Sequence, residues 1–149
     1  MSTPRHVTIC IVGFHNQDEI SRCVAALADL TYPTFDVVVC ENGGRWSWEK
    51  LRAALPEKLP GGQGVECICA PGNLGYAGGA NLAMRSRPES DAWWIVNPDT
   101  VPERDALSAL VERLSRGDCH MVGSVLYDRR GQVQAYGGYW RFWLGRPVS

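Results

Sequence analysis

The chain has 149 residues, of which 45% are hydrophobic and 21% charged, and a formal net charge of -1. That is long enough for one domain with a sizeable core and too apolar for a disordered chain. With no basic run and almost no net charge, nothing argues for nucleic acid or an anionic membrane surface as a partner.

The first predicted element is a buried strand, VTICIVGF (7–14), a β-branched run ending at glycine. Asn16 follows as a helix cap, and Glu19 three residues on completes a capping-box pattern. Ile20, Cys23, Val24 and Leu27 then repeat at helical spacing, and the helix should end near Leu30, before Tyr32-Pro33. DVVVCENGG (36–44) is a second strand leaving through Asn42-Gly43-Gly44, and a weaker helix is expected around 47–55. After the loop LPGGQG comes a third strand, VECICA (65–70). PGNLGYAGGANLAMRS (71–86) is a glycine-rich turn running into a helix.

WWIVN (93–97) reads as a fourth, fully buried strand. Thr100-Val101-Pro102-Glu103 is a second capping box, opening a helix with the apolar stripe Leu107, Leu110, Val111 and Leu114. HMVGSVLYD (120–128), the turn Arg129-Arg130-Gly131 and QVQAYGG (132–138) read as a strand and hairpin. The tail carries Tyr139, Trp140, Phe142, Trp143 and Leu144, and is expected to pack on further protein rather than face water.

Four strand–helix alternations with continuous apolar strands predict an α/β fold, three-layered and Rossmann-like, with a mostly parallel sheet and a C-terminal hairpin. The six cysteines lie in apolar runs without C-x-x-C spacing. They read as small buried hydrophobes, Cys67 and Cys69 sharing one strand face, rather than zinc ligands. No apolar run reaches spanning length and no secretory signal pattern opens the chain, so the expected location is the cytoplasm, with a peripheral position at the inner face of the membrane left open.

Ligands of such sheets bind beyond the carboxyl ends of the strands, where GFHN, CENGG, APGNLGYAGG and NPDT collect. Gly72, Gly75, Gly78 and Gly79 permit close backbone approach by a ligand beside a helix N-terminus, and equally permit tight helix–sheet packing through Gly78, Gly79, Ala80 and Ala83. Their spacing is neither G-x-G-x-x-G nor a P-loop. Within the run, Gly78 is expected to serve packing and Gly75 the ligand. Asp99, aimed by Pro98 at a strand end, can ligate a hard cation that also binds phosphate, or be part of an ordinary strand-to-helix turn. Glu41 can meet a base or ribose, or be solvated at the sheet rim. The histidines have no spaced partner and carry no metal role.

Taken together, the four segments resemble the nucleotide-binding half of the family 2 glycosyltransferases, which have the GT-A fold. VTICIVGFHN resembles the family's opening strand, and DVVVCENGG its second strand, whose terminal acid, usually Asp, contacts the nucleotide base. GNLGYAGGANLA resembles N-x-G-[FY]-[AG]-x-[GA]-x-N, a segment of a rhamnosyltransferase-like subgroup, and VNPDTVP its version of the metal-binding D-x-D motif. GQVQAYGG resembles the subgroup's segment after the next strand.

The resemblance implies a nucleoside-diphosphate sugar donor, dTDP- or UDP-linked, and Mg²⁺ or Mn²⁺ held by Asp99, with Asn97 in place of the motif's first Asp. It also implies that Glu41 and Asn42 read the base with Phe14 packed nearby, and that Asn73, Gly75, Tyr76 and Asn81 line the nucleotide or sugar pocket. Inverting transfer to a saccharide or lipid-linked acceptor in polysaccharide synthesis would follow. The family's catalytic base is an acid well beyond D-x-D. Residues 1–149 are therefore expected to be one domain lacking its acceptor-binding half, inactive alone, with that half or a protein partner against the aromatic tail. The alternatives are a non-catalytic nucleotide-sugar-binding module and, ranked lower, a sugar nucleotidyltransferase, for which GFHNQDE lacks the glycine- and lysine/arginine-rich triphosphate loop.

Overall fold

The computed structural model describes residues 4–135, 139–141 and 146–148, with the backbone alone for the last two segments. They form two compact units, Pro4–Ser108 and the residues from 109 onward. The first unit holds β1 (Val7–Gly13), α1 (Gln17–Leu27), β2 (Phe35–Glu41), α2 (Arg45–Ala54), β3 (Val65–Cys69), α3 (Gly75–Arg85) and β4 (Ala92–Val96). The helix α4 (Ala106–Ser115) begins at its end.

The four strands form one parallel sheet in the order β3-β2-β1-β4. Two crossovers run outward from β1 and the third returns to its other side. With right-handed connections this puts α1 and α2 on one face and α3 on the other, matching the packing of α1 on α2 and of α3 on β1 and β2. The predicted three-layer α/β architecture is the one observed. Both faces of the central strands are covered, so every residue of β1 is buried. On the α3 face Cys10, Val38 and Cys40 pack with Ala70 and Ala83, and Thr8 satisfies its buried hydroxyl on Ser90 at 2.6 Å.

Register aligns the carboxyl ends of the strands. Gly13 lies opposite Glu41, Glu41 opposite Cys69, and Ile11 opposite Val96. The loops after β1, β2, β3 and β4 therefore leave from one edge.

Several expectations are corrected. Trp93 is 39% and Ile95 42% exposed, because β4 is a sheet edge among the described residues and α3 covers β1 and β2 instead. Cys69 is exposed as well. The Thr100 capping box does not form: the Thr100 hydroxyl donates back to the Asn97 carbonyl at 2.7 Å, and α4 starts only at Ala106. Asn16 does precede α1, but its side chain caps no helix amide. Its Oδ1 accepts from Phe14 N at 2.9 Å and its amide donates to Glu19 at 2.9 Å.

In the second unit, β5 (Leu126–Tyr127) pairs antiparallel with β6 (Val133–Ala135), and β7 (Tyr139–Arg141) with β8 (Arg146–Val148). Only Leu126 and Tyr127 of the predicted strand 120–128 are in strand geometry. Asp128 closes the expected hairpin turn by accepting from Arg130 N and Gln132 N. The end of QVQAYGG and the side chains of the aromatic tail lie outside the described residues.

Two outcomes follow from the packing. A Cβ on Gly79 would fall 2.7 Å from Val12 Cγ1 and 2.9 Å from Asn42 Nδ2. Overpacking of this kind costs about 1–3 kcal/mol against about 1 kcal/mol of helix propensity gained by alanine. Gly79→Ala is therefore expected to lower the urea midpoint; an unchanged midpoint would show that α3 shifts freely on the sheet.

The second outcome concerns the buried thiols. Burial first of all pushes Cys10 and Cys67 up to about 12, and Cys23 and Cys40 to about 11, from an ordinary 9.0. Between pH 9 and 11 the unfolded chain loses protons that the folded chain keeps, so stability is complete below pH 9 and falls through that window. Urea unfolding at pH 8.5 and 10.5 should show the drop, and equal midpoints would contradict it.

Candidate functional site

The four aligned loops enclose an open cavity of about 390 Å³ in the first unit. The β1 end contributes Val12, Gly13 and Phe14, and the start of α1 contributes Asn16 and Glu19. Phe14 is 53% exposed, its ring edge-on to His15 with centroids 4.5 Å apart. His15 itself takes a left-handed φ of 57°, which a non-glycine residue adopts only when its surroundings hold it there.

The glycine-rich turn supplies Asn73, Gly75 and Tyr76. Asn73 Oδ1 accepts from Gly75 N at 2.9 Å, and Gly75 opens α3 with φ +68° and nothing near its missing Cβ. Gly75 lies on the cavity, and it is Gly79 rather than Gly78 that meets the sheet. A Cβ at Gly78 would strike only Leu74, in its own turn. The Tyr76 hydroxyl titrates above its ordinary value, through burial first and then the charge of Asp99. It is thus a neutral donor close to that acid.

The far wall is Asn97, Pro98 and Asp99. Thr100 N bonds the Asn97 carbonyl at 3.1 Å, closing a turn with proline at its second position. Thr31 N donates to the Arg104 carbonyl at 2.8 Å and ties down the segment that follows. Asp99 therefore stands on a fixed turn at the end of a parallel strand, with no hydrogen-bond donor to its carboxylate among the described residues.

Asn42 is buried yet borders the cavity. Its Nδ2 donates to the Gly75 carbonyl at 3.2 Å and its Oδ1 accepts from Leu74 N at 3.4 Å, so one amide ties the β2 end to the glycine-rich turn. Two predicted residues are not on the wall. Glu41 is 1% exposed; its Oε1 accepts from Gly43 N at 2.7 Å and His15 N at 3.3 Å. Asn81 is exposed on α3, six residues past Gly75 and so about 9 Å further along the axis. Of the wall residues that sequence reasoning had not assigned to the site, Gly13, Asn16 and Glu19 were legible only as strand end and helix cap.

Among the described residues no group of three His, Cys, Asp or Glu side chains is placed to cage a metal ion. A single free carboxylate fits the way Mg²⁺ and Mn²⁺ bind with a phosphate ligand, through one or two carboxylates, phosphate oxygens and water.

Asn42→Asp replaces the donor facing the Gly75 carbonyl with a second acceptor. The variant is expected to lose about 1–3 kcal/mol in urea unfolding, and full retention of stability would show that the amide bridge contributes nothing.

Comparison with known proteins places this geometry. Residues 8–148 match the glycosyl transferase family 2 model. No curated protein sequence matches the chain significantly. Among solved structures, the fold is similar to the mannosyltransferase PcManGT from Pyrobaculum calidifontis in complex with GDP-Man and Mn²⁺, with TM-score 0.59, 20% identity, and coverage of 87% of this chain and 37% of that one. It is also similar to TarS 1-349 of S. aureus, with TM-score 0.55 and 14% identity over 72% of this chain and 32% of that one. The same protein in complex with UDP gives 0.52 and 17% over the same shares. This chain thus spans about a third of the length of these proteins. The sheet has the GT-A, Rossmann-like architecture of these neighbours, and the chain belongs to glycosyl transferase family 2.

Proposed function

We propose that this chain is the donor-binding half of an inverting glycosyltransferase that takes a dTDP- or UDP-linked sugar, with a rhamnosyltransferase-like role in building a polysaccharide or glycolipid. The observation that carries the reading is the placement of Asp99 on one cavity wall with the glycine-rich turn and the start of α3 on another. The diphosphate would lie between them, near the amides of the turn, with Tyr76 as a neutral donor. The nucleoside would lie toward Phe14 and Asn42, and the sugar toward Asn73 and Asn97. The neighbours solved with GDP-Man and with UDP support a nucleotide-linked donor.

In the transfer an acceptor hydroxyl attacks the anomeric carbon in line, the bond from that carbon to the diphosphate oxygen breaks with its electron pair, and a base takes the hydroxyl proton. A divalent cation, Mg²⁺ or Mn²⁺, would be held by Asp99 with Asn97 beside it, and would supply positive charge to the leaving diphosphate. Lining acids Glu19 and Asp99, with no Lys or Arg among the described residues of the wall, favour such a cation, because the donor is itself anionic.

The base and the acceptor site are proposed to lie outside these residues. In the described part, Asp118 is paired with Arg113 at 2.5 Å and Asp128 is occupied by its own turn. Among the described residues no helix is long and apolar enough to cross a membrane. A cytoplasmic protein at the inner membrane face, meeting a saccharide or lipid-linked acceptor, is the proposed setting.

Calorimetry tests the donor site. The chain should bind UDP or dTDP more tightly with Mn²⁺ than without. Asp99→Asn should remove that increment, a loss of about tenfold or more, while leaving the melting temperature nearly unchanged. Equal Mn²⁺-dependent affinity in the variant would rule the assignment out.

A further inference from the structure

We infer that Glu41 is a positioning residue of the donor site, an internal clamp between the loops after β1 and β2, and that it does not touch the nucleoside; this rests on the donor-site reading above. The family resemblance points the other way, since the acid at this strand end is usually an Asp that contacts the base.

Glu41 is 1% exposed, and its Oε1 already serves two backbone amides, Gly43 N at 2.7 Å and His15 N at 3.3 Å. The two flanking glycines leave the room the carboxyl group occupies. A Cβ on Gly13 would lie 2.6 Å from Oε2, and a Cβ on Gly43 2.6 Å from Oε1. The long side chain fits sideways because both flanking positions are glycine. What the clamp holds is specific. His15 sits at a left-handed φ, and its ring abuts Phe14, which is exposed on the cavity wall. Ordering the His15 amide therefore orders Phe14, and ordering Gly43 holds the backbone that follows Asn42.

Side-chain length is the discriminating variable. Aspartate is shorter by one carbon–carbon bond, about 1.5 Å, and would leave at least the 3.3 Å bond to His15 N beyond hydrogen-bond range. A residue that contacts the base should tolerate Asp, the acid usual at this position in the family. A clamp should not. Glutamine keeps an accepting oxygen at full reach.

Amide hydrogen exchange by NMR and calorimetry with UDP and dTDP in Mn²⁺, on the full chain, test this. In the wild type the amides of His15 and Gly43 should be protected; exchange as fast as that of exposed amides would overturn the clamp without any variant. Glu41→Asp should deprotect both and weaken nucleotide binding by about tenfold, while the melting temperature moves little. Glu41→Gln should restore the protection and most of the affinity that Glu41→Asp loses. If Glu41→Asp binds as tightly as the wild type, or Glu41→Gln binds more weakly than Glu41→Asp, the inference is wrong. Failure of the wild type to bind either nucleotide would instead sink the donor-site reading, and the exchange rates would still decide the clamp.

Discussion

The organisation of this site depends on two adjacent polar side chains, Glu41 and Asn42, that are buried where β2 ends. A strand turns successive side chains to opposite faces of the sheet. Glu41 accordingly points to the face of α1, beside Gly13 and Ile20, and Asn42 to the face of α3, beside Gly79. Each reaches different backbone. Glu41 takes the amides of His15 and Gly43, whereas Asn42 takes Leu74 and Gly75. Consecutive residues thereby connect three loops that are far apart in sequence, and the connections are strong because they are shielded from water.

Burying such groups is tolerable only if their hydrogen bonds are made. Among the described residues no buried side-chain nitrogen or oxygen lacks a partner. The requirement reaches back into the sequence. Gly13, Gly43 and Gly79 each stand where a Cβ would collide with Glu41 or Asn42. These three glycines are accordingly demanded by side chains that must lie flat against the strand ends. Gly75 answers a different need, a positive φ at the point where the turn becomes helix.

This separation explains what could be read beforehand. The four strands were legible because apolar runs of this length alternate with helical spacing, and the sheet edge that collects the loops follows from parallel topology alone. Phe14, Asn42, Asn73, Gly75, Tyr76, Asn97 and Asp99, which lie in or beside those strand-end segments, accordingly line one cavity. The burial of Glu41 was not legible, since a one-dimensional pattern does not say whether an acid at a strand end turns outward or lies along neighbouring glycines. The exposure of Trp93 and Ile95 was hidden for a related reason: an apolar run reveals that a strand wants cover on both faces, not which helix supplies it. Thr100 illustrates local competition, its hydroxyl closing the turn at Asn97 in preference to capping a helix.

The charge on the cavity wall governs how an anionic ligand can enter. Glu19 and Asp99 are the carboxylates of the wall, and among the described residues neither lysine nor arginine joins them there. A unit charge about 4 Å from another near a protein surface interacts by about 4 kcal/mol, so a diphosphate set directly against Asp99 would be repelled. The amides at the start of α3 offset only part of this, because a helix end carries roughly half an elementary charge. On the proposed reading, a dication held by Asp99 would supply the positive charge that offsets this repulsion, and the acid would serve as an anchor rather than an obstacle. The geometry that makes Asp99 available, a proline-fixed turn with no internal donor to its carboxylate among the described residues, is the geometry such an anchor requires. The same balance of charge disfavours a site that holds a diphosphate by protein cations alone. On the proposed reading, the polar asparagines of the wall would orient neutral hydroxyls and base edges rather than neutralise charge.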